Sequence, residues 1–350
     1  MEKIKAGIIG CGRISSVYRA VFENMKEEAE LVFAVDKELS RAEQLAAAFP
    51  GCGYSDRLED LLRQPLSAVH VLTPHFLHKE HVIACLEAGF HVLTEKPIAL
   101  SLEDADLMIA AAKKNKRQLG VIFQNRYIEG VQEVKRMIEN GEFGRITGAF
   151  STLNWWRPPS YYECDWKGSW EKEGGGVVID QAIHSLDLVR YLMGCEPVKV
   201  KGHIERRILT NIEVEDVADA AITFENGAVY SFFACNYYTS NSPIRVEISG
   251  EHGTALLTEN EVVIRLKGRE PRTVSPSVGP EVKGEAYWGN YHEVQIRDFY
   301  RCLREGTPVQ TDPEDAKRTL GLVLDIYRSS RENREIITER QAAERQAAER

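Results

Sequence analysis

The sequence predicts an α/β fold in two domains: a doubly wound parallel sheet, then an α+β domain with a large, mainly antiparallel open sheet. Apolar strand segments alternate with helix segments up to residue 124, and longer strands of alternating polarity follow from residue 146. At 350 residues the chain also exceeds the ~250 to 300 over which one core usually grows. We therefore place the domains at 1–124 and 125–338, with a low-complexity tail, helical or disordered, at 339–350.

Composition indicates a soluble globular protein and excludes several kinds of partner. The 44 lysines and arginines against 53 acidic residues give a formal charge of −9, which would repel a phosphate backbone. No apolar run approaches the ~18 residues that a membrane span needs. The first residues lead directly into a strand without a secretory signal pattern, and the seven scattered cysteines include no Cys-x-x-Cys pair. We expect a cytoplasmic protein with reduced thiols and no metal, nucleic-acid or membrane partner.

A glycine-rich turn joins the first strand, at 3–9, to the first helix. Its sequence is Gly10-Cys11-Gly12-Arg13-Ile14-Ser15. Gly10 permits the tight turn, Gly12 lets a pyrophosphate approach the backbone, and the helix N-terminus offers free N–H groups. Ser15 supplies a small side chain where a third glycine is usual. This pattern predicts a dinucleotide site, with contacts from the turn residues Gly10, Gly12, Arg13 and Ile14.

The end of the second strand indicates the form of the dinucleotide. Residues 30–35 make this strand, and Asp36 follows it. An acid at this position accepts hydrogen bonds from the adenosine ribose hydroxyls and repels a 2′-phosphate, which favours NAD over NADP. Lys37 and Arg41 leave NADP open, because either side chain could reach a 2′-phosphate.

A lysine follows a later strand of the same sheet. Strands are predicted at 68–72 and 91–94, and the second leads into Glu95-Lys96-Pro97. Ligands of open α/β sheets bind at the carboxyl ends of the strands, so we expect Lys96 on the cofactor side. Alone, the lysine is equally well explained as a solvated surface charge. The remaining elements of the first domain are expected at 79–88, 102–115 and 118–123.

The second domain is predicted from long strands separated by turn signals such as Glu225-Asn226-Gly227. A mainly antiparallel sheet with helices on one face follows from this pattern. The strands are expected at 146–156, 198–209, 219–224, 228–238, 245–249 and 254–258. Two closing helices are expected at 291–303 and 315–330.

A further helix, between the triple glycine 174–176 and Gly194, carries an acid and a histidine. Asp180 and His184 are four residues apart, which places them on one helical face. The carboxylate can orient the imidazole ring and stabilise its charged form, which suits proton transfer near neutral pH. A pair at this spacing also occurs as a simple helix-surface interaction.

Aromatic residues concentrate between Trp155 and Trp170, a segment that holds four of the chain's five tryptophans. Flat aromatic faces beside polar groups suit a sugar ring, whereas core packing or a dimer interface explains them equally well. Arg126, Arg157 and Lys167 could meet a phosphate or a carboxylate, or be ordinary exposed cations. The candidate substrate contacts are Arg126, Asn154, Trp166 and Trp170.

With these motifs in this order, the chain resembles the Gfo/Idh/MocA family of oxidoreductases from about residue 3 to 338. The resemblance implies a Rossmann domain, a second α/β domain whose open sheet often makes oligomer contacts, and an active site between the domains. It implies catalytic roles for Lys96, Asp180 and His184. His75 is a departure, because the family commonly has asparagine there. The cofactor contacts expected outside the glycine turn are Asp36, Thr73, His75, His78, Glu95 and Lys96.

The leading hypothesis is an NAD-dependent oxidoreductase that moves a hydride between nicotinamide and a secondary alcohol of a sugar, sugar derivative or cyclitol. His184 would act as the base in oxidation, oriented by Asp180, and Lys96 would stabilise charge on the substrate oxygen. One alternative is NAD-dependent glycoside hydrolysis through transient oxidation, and another is a non-catalytic nucleotide-sensing regulator. A homodimer or homotetramer through the second-domain sheet is expected from the resemblance.

Overall fold

The computed structural model of the protein describes residues 3–259, 261–276 and 291–338. These residues form two compact units. The first contains 3–124 and 291–317, and the second contains 125–259, 261–276 and 318–338. The tail predicted at 339–350 lies outside the described residues.

A six-stranded sheet forms the centre of the first unit. Its strands are β1 (Ile4–Ile9), β2 (Ala29–Val35), β3 (Gly53–Ser55), β4 (Ala68–Val71), β5 (His91–Thr94) and β6 (Leu119–Val121). They run parallel in the order β3-β2-β1-β4-β5-β6, so the predicted doubly wound parallel sheet is confirmed. The order reverses between β1 and β4, and ligands of such sheets bind outside the carboxyl ends of these strands.

A nine-stranded sheet forms the centre of the second unit. Its strands are β7 (Ile146–Asn154), β8 (Pro197–Glu205), β9 (Val217–Phe224), β10 (Val229–Cys235), β11 (Arg245–Gly250), β12 (Gly253–Thr258), β13 (Glu261–Leu266), β14 (Arg272–Val274) and β15 (Ile336–Ile337). The order is β14-β13-β12-β11-β7-β10-β9-β8-β15. The predicted mainly antiparallel sheet is confirmed, and β7 and β10 make the parallel pair within it.

Helices cover both sheets. They are α1 (Ser15–Asn24), α2 (Leu39–Ala46), α3 (Leu58–Leu62), α4 (His78–Glu87), α5 (Leu102–Asn115), α6 (Glu129–Glu139), α7 (Ile183–Met193), α8 (Tyr291–Glu305) and α9 (Pro313–Glu332). Short 3₁₀ segments occur at 75–77, 124–127 and 159–162, and a π-helical turn occurs at 178–182. Among the described residues, no helix is long and apolar enough to cross a membrane, and no cluster of three or more His, Cys, Asp or Glu could hold a metal ion.

The limits of α5 follow from its local sequence. Ser101 caps the N-terminus by accepting a hydrogen bond from the Asp104 N–H at 3.1 Å. Acidic residues occupy the first turn and lysines the last, which complements the helix dipole. Lys116 ends the helix in the left-handed region with φ of 52°. These signals are local, and the predicted helix at 102–115 has the observed limits.

Helix α8 departs from the domain division that the sequence indicates. It follows the second-domain strands in the chain, yet it belongs to the first unit. Ile296, Phe299 and Tyr300 are buried in one core cluster with Tyr18 and Leu93. Periodicity identifies the apolar face of this helix but not the surface against which that face is buried. Its position in the chain suggested the second domain, which is wrong.

The strand predicted at 198–209 ends early, at Glu205. Beyond that residue the backbone N–H groups of Arg207, Ile208 and Leu209 all donate to the buried Asp216 carboxylate, each at 2.7 Å. A carboxylate can accept several such bonds, and it ends the strand by removing donors from the sheet. The apolar pair Ile208 and Leu209 extended the predicted strand beyond this end, so the sequence pattern alone did not show it.

A buried histidine on β4 makes stability depend on pH. His70 is fully buried, its Nε2 lies 2.6 Å from the Tyr300 hydroxyl, and burial lowers its pKa from 6.5 to about 3. Between pH 3 and pH 6.5, His70 therefore binds a proton in the unfolded chain but not in the native state. The stability that neutral His70 contributes is present above pH 6.5 and is lost as the pH falls toward 3.

We predict that acidification lowers the free energy of unfolding and that His70→Asn weakens this dependence. The His70 contribution should approach about 1.4 kcal/mol per pH unit well below the unfolded pKa. Denaturant unfolding of both proteins at pH 7 and pH 5 measures it, with His203→Asn on the exposed part of β8 as control. Equal pH slopes for wild type and His70→Asn would contradict the assignment.

Candidate active site

The glycine turn after β1 has the form of a phosphate site. Gly10 has φ of 93°, and a Cβ there would lie 2.8 Å from the Leu72 carbonyl oxygen. Glycine is therefore required where the turn passes the end of β4. A Cβ on Gly12 would meet nothing within 4 Å, and α1 begins without a side-chain cap. Open space beside an uncapped helix N-terminus fits the pyrophosphate of a dinucleotide.

Asp36 lies beside this turn, and its predicted contact with the ribose stays a prediction. Its side chain is buried, with Oδ2 accepting from the Cys11 N–H at 2.7 Å and Oδ1 from the Glu38 N–H at 2.9 Å. The carboxylate thus links the end of β2 to the turn. Its two oxygens offer about four acceptor sites, so capacity remains for ribose hydroxyls. Of the other predicted turn contacts, Arg13 is exposed and Ile14 is half-buried.

His78 connects the two strand ends of the predicted cofactor edge. It is fully buried, with Nδ1 2.7 Å from the Pro97 carbonyl oxygen and Nε2 2.9 Å from that of Thr73. Burial lowers the pKa of His78 against the opposing effect of these carbonyls. His75 is also buried, with its ring centroid 5.9 Å from that of His78. His78 therefore holds the backbone next to Lys96, and its contact with the cofactor stays a prediction.

Glu95 fixes the lysine turn from the other side. Its Oε1 accepts from the Tyr18 hydroxyl at 2.9 Å and lies 3.6 Å from His292 Nε2. Burial would raise the pKa of Glu95, but His292, Lys96 and Tyr18 outweigh burial and lower it. Half-buried Lys96 thus follows an anchored carboxylate and precedes a cis peptide to Pro97, whose carbonyl oxygen lies against His78. Tyr18 and His292 were missed, because no sequence signal links α1 or α8 to this turn.

The triple glycine opens the segment that carries Asp180 and His184. The buried Glu215 carboxylate accepts from the Gly176 N–H at 2.8 Å, the Val178 N–H at 3.0 Å and the Tyr327 hydroxyl at 2.9 Å. A Cβ on Gly176 would lie 1.9 Å from the Glu215 carbonyl oxygen, and one on Gly175 would lie 2.0 Å from the Tyr327 hydroxyl. Only glycine admits these approaches. The glycines are recognisable in the sequence, but Glu215 and Tyr327, which require them, are not.

Asp180 lies in the π-helical turn, and half-buried His184 lies in the first turn of α7. The predicted single helix is therefore a π turn followed by an α-helix, and such turns often occur at functional sites. Asp180 Oδ2 accepts from Lys167 Nζ at 2.6 Å, the Tyr161 hydroxyl at 2.7 Å and Gln181 Nε2 at 2.5 Å. Orientation of His184 by Asp180 stays a prediction.

The three cations considered for substrate binding are buried, so their description as exposed surface charges is wrong. Arg126 is 3% exposed and pairs with Asp187 through two hydrogen bonds, at 2.8 and 2.5 Å. Arg157 is 3% exposed and stacks 4.5 Å from the Trp155 ring centroid. Lys167 pairs with Asp180. Asp187 lies 61 positions from Arg126, whereas Trp155 and Asp180 lie close in the chain to Arg157 and Lys167.

The other candidate substrate contacts differ in exposure. Asn154 is half-buried at the end of β7, and Trp166 is half-buried with its ring 4.4 Å from Lys167 Nζ. Trp170 is 40% exposed, donates from Nε1 to the Glu213 carbonyl and packs edge-on against Tyr327. The aromatic segment therefore contributes both to packing and to the surface, and neither of its predicted roles accounts for all of it.

A Rossmann sheet with this glycine turn, an acid after β2 and an anchored lysine turn after β5 defines an NAD-binding dehydrogenase. The model of the oxidoreductase family with an NAD-binding Rossmann fold matches residues 4–123, and that of the GFO/IDH/MocA C-terminal domain matches residues 131–256. The chain belongs to the Gfo/Idh/MocA family of oxidoreductases, which confirms the resemblance seen in its motifs.

Similar proteins support the NAD-dependent activity. Scyllo-inositol 2-dehydrogenase (NAD(+)) of Bacillus subtilis (strain 168) is 29% identical over 330 residues, covering 89% of this chain and 90% of the relative. D-Glucoside 3-dehydrogenase of Escherichia coli (strain K12) is 30% identical over 347 residues, covering 93% and 95%. The structure of WlbA dehydrogenase from Bordetella pertussis, in complex with NADH and UDP-GlcNAcA, has a TM-score of 0.82 at 31% identity, covering 96% and 99%.

Proposed function

We propose that this enzyme oxidises a secondary alcohol of a sugar, sugar derivative or cyclitol, reversibly, with NAD as hydride acceptor. The observation that carries the proposal is the anchored Glu95-Lys96-Pro97 turn, which follows a strand of the same parallel sheet as the glycine turn. Carboxyl ends of parallel strands share one edge, so the ammonium group belongs to the cofactor edge. The named relatives act on an inositol and on glucosides, which supports this substrate class.

Three side chains supply the chemistry in this proposal. NAD, when bound, supplies the hydride acceptor. Lys96 donates a hydrogen bond to the reacting oxygen and stabilises negative charge as the hydroxyl proton leaves. His184 accepts that proton in oxidation and returns it in reduction, and the Asp180 carboxylate stabilises the protonated ring. Asp36, held at the turn, would accept from the ribose hydroxyls and disfavour NADP.

We propose Asn154, Trp166 and Trp170 as substrate contacts and exclude Arg126. Its guanidinium is buried in the pair with Asp187, whose Oδ1 also accepts from Thr319 at 2.9 Å. Freeing Arg126 would leave a buried carboxylate without its cation, which typically costs about 3 to 5 kcal/mol.

We also place the enzyme in the cytoplasm, because all seven cysteines are free thiols.

We predict NADH formation when the protein is supplied with NAD and a neutral sugar or cyclitol from a panel of such alcohols. Absorbance at the nicotinamide band measures it, and one NADH should form per oxidised alcohol. Glycoside cleavage without net NADH would instead indicate the hydrolase alternative. A protein that binds NADH but turns over no alcohol in either direction would contradict the proposed function.

We predict that His184→Ala and Lys96→Ala each lower kcat by about 10² to 10⁴-fold, the usual contribution of a general acid–base group. NADH affinity should stay near that of the wild type for His184→Ala, because that change removes a proton acceptor only. Steady-state kinetics and NADH titration measure the two effects. His203→Ala and Lys79→Ala are matched controls, one in each unit. Undiminished turnover in either active-site variant would remove that residue from the mechanism.

We also propose that the protein forms a homodimer or homotetramer through the outer face of the nine-stranded sheet. Phe150 and Val229 on this face are 44% and 45% exposed. Register places Val229 opposite Gly148 and Phe233 opposite Thr152, so these side chains share one face of the β7–β10 pair. The alternate residues of both strands are buried. Exposed aromatic and aliphatic groups on a flat sheet are typical of subunit contacts.

We predict that Phe150→Lys lowers the oligomeric state, because it places a charge in an apolar contact that would have to be desolvated. Light scattering coupled to size-exclusion chromatography measures the mass in solution. Leu107→Lys, at a 54% exposed position on α5, is the matched control and should leave the mass unchanged. A monomeric wild-type protein, or an oligomer insensitive to Phe150→Lys, would contradict the proposed interface.

A further inference from the structure

The aromatic segment brings a lysine against the Asp180 carboxylate. Lys167 Nζ lies 2.6 Å from Asp180 Oδ2 and 3.1 Å from Glu173 Oε1. The exposed fractions of these side chains are 10% for Lys167, 8% for Asp180 and 1% for Glu173. A single ammonium group thus serves two carboxylates in a buried position, where ionic contacts are strong and weakly screened.

The surroundings hold Lys167 in this position. Its Nζ lies 4.6 Å from the Tyr161 ring centroid and 4.4 Å from that of Trp166, which are cation–π distances. Glu173 is itself held, because its Oε2 accepts from the Gly168 N–H at 2.5 Å. The rings that the sequence offered as a sugar platform therefore form two walls around an ammonium group.

A second set of hydrogen bonds fixes the other donors to Asp180. Gln181 donates to Asp180 Oδ2 from Nε2, and its Oε1 accepts from Asn236 Nδ2 at 2.9 Å. Asn236 also donates to the Tyr162 hydroxyl at 3.0 Å. The Gln181 amide is therefore oriented with its N–H groups toward the carboxylate. Three donors on one oxygen favour the charged form of Asp180.

Lys167 and Glu173 differ in how firmly they hold their charge. Burial opposes the charged form of Lys167, but Asp180, Tyr161 and Glu173 outweigh it and raise the pKa of Lys167 well above its ordinary value. Burial raises the pKa of Glu173 to about 7, Asp180 adds to this rise, and Lys167 opposes it. The lysine stays charged while the two carboxylates compete for it.

We propose that Lys167 is a positioning residue for Asp180: it holds Oδ2 and keeps the carboxylate charged, while Glu173 competes for the same ammonium group. Together Lys167 and Glu173 set the pH at which the site becomes competent. The inference rests on the proposed function, because it takes Asp180 and His184 as the groups that serve proton transfer. It gives the aromatic segment a role in tuning the site.

The two variants Lys167→Met and Glu173→Gln should move the acidic limb of the kcat–pH profile in opposite directions. Lys167→Met removes a positive charge and raises the limb by about one pH unit or more. Glu173→Gln removes the partial negative charge that Glu173 carries near its raised pKa of about 7, and it lowers the limb by a smaller amount. The signs hold whether the limb reports Asp180 or His184, since both groups gain affinity for a proton when positive charge is lost. Lys167→Met should also lower kcat about tenfold or more, with NADH affinity unchanged.

Lys172→Met is the matched control, because Lys172 lies in the same segment and donates to the Asp165 carbonyl at 2.9 Å. It should keep the wild-type profile. Lys167→Arg, which keeps the charge, should restore the acidic limb that Lys167→Met displaces. Thermal unfolding of each variant identifies any that fail to fold. If Lys167→Met does not fold, the downward shift of the acidic limb in Glu173→Gln tests the proposal by itself, and an unshifted limb overturns it.

The inference and the proposed function fail in different ways. If the wild-type protein oxidises no alcohol with NAD, the proposed function fails, and if Asp180→Asn and His184→Ala both keep full turnover, only the proton-transfer roles assigned to them fail. If those variants lose turnover while Lys167→Met and Glu173→Gln leave the acidic limb in place, the positioning role alone is overturned. Loss of turnover in Lys167→Met without a change in the profile overturns it too, since damage to packing would produce that result.

Discussion

Buried carboxylates that accept hydrogen bonds from turns and loops hold the functional segments of both units. Asp36 fixes the glycine turn, Glu95 fixes the lysine turn, and Glu215 fixes the triple glycine. Burying an ionised carboxylate costs several kcal/mol unless donors replace the lost water. Each of these acids has at least two donors or cationic neighbours that offset part of this cost, although at Glu215 burial outweighs them and raises its pKa to about 7. Backbone N–H groups donate to Asp36 and Glu215, whereas the side chains of Tyr18 and His292 contact Glu95.

This constraint explains which parts of the structure the sequence could predict. The sequence shows Gly10, Gly12 and the triple glycine directly, because positions where another group approaches the backbone closely require glycine. Asp36 and Lys96 are visible because each follows a strand end directly. These are local signals, and together with the strand patterns they were enough to predict both sheets and the family.

The partners of these groups could not be predicted, because their contacts are distant in the chain. Tyr18 and His292 reach Glu95 across 77 and 197 positions, and Glu215 meets Gly176 across 39. No pattern in a single sequence shows such contacts. The same gap led Arg126 to be treated as a possible surface cation, since its carboxylate partner Asp187 lies 61 positions away. The sequence thus provided residue types and their spacing, but it did not show which distant residues pair.

The placement of α8 in the first unit has a consequence for how the enzyme is made and how it evolves. Ile296, Phe299, Tyr300 and Cys302 of α8, with Val309 just after it, fill a core whose other members lie before residue 123. During synthesis that core stays incomplete until nearly the whole chain has left the ribosome, so the nucleotide-binding half cannot finish folding first. For the same reason, exchange of residues 1–124 between relatives as one cassette would separate a core from its own last helix. Because the chain segments of the two units are interleaved, we expect them to be inherited together.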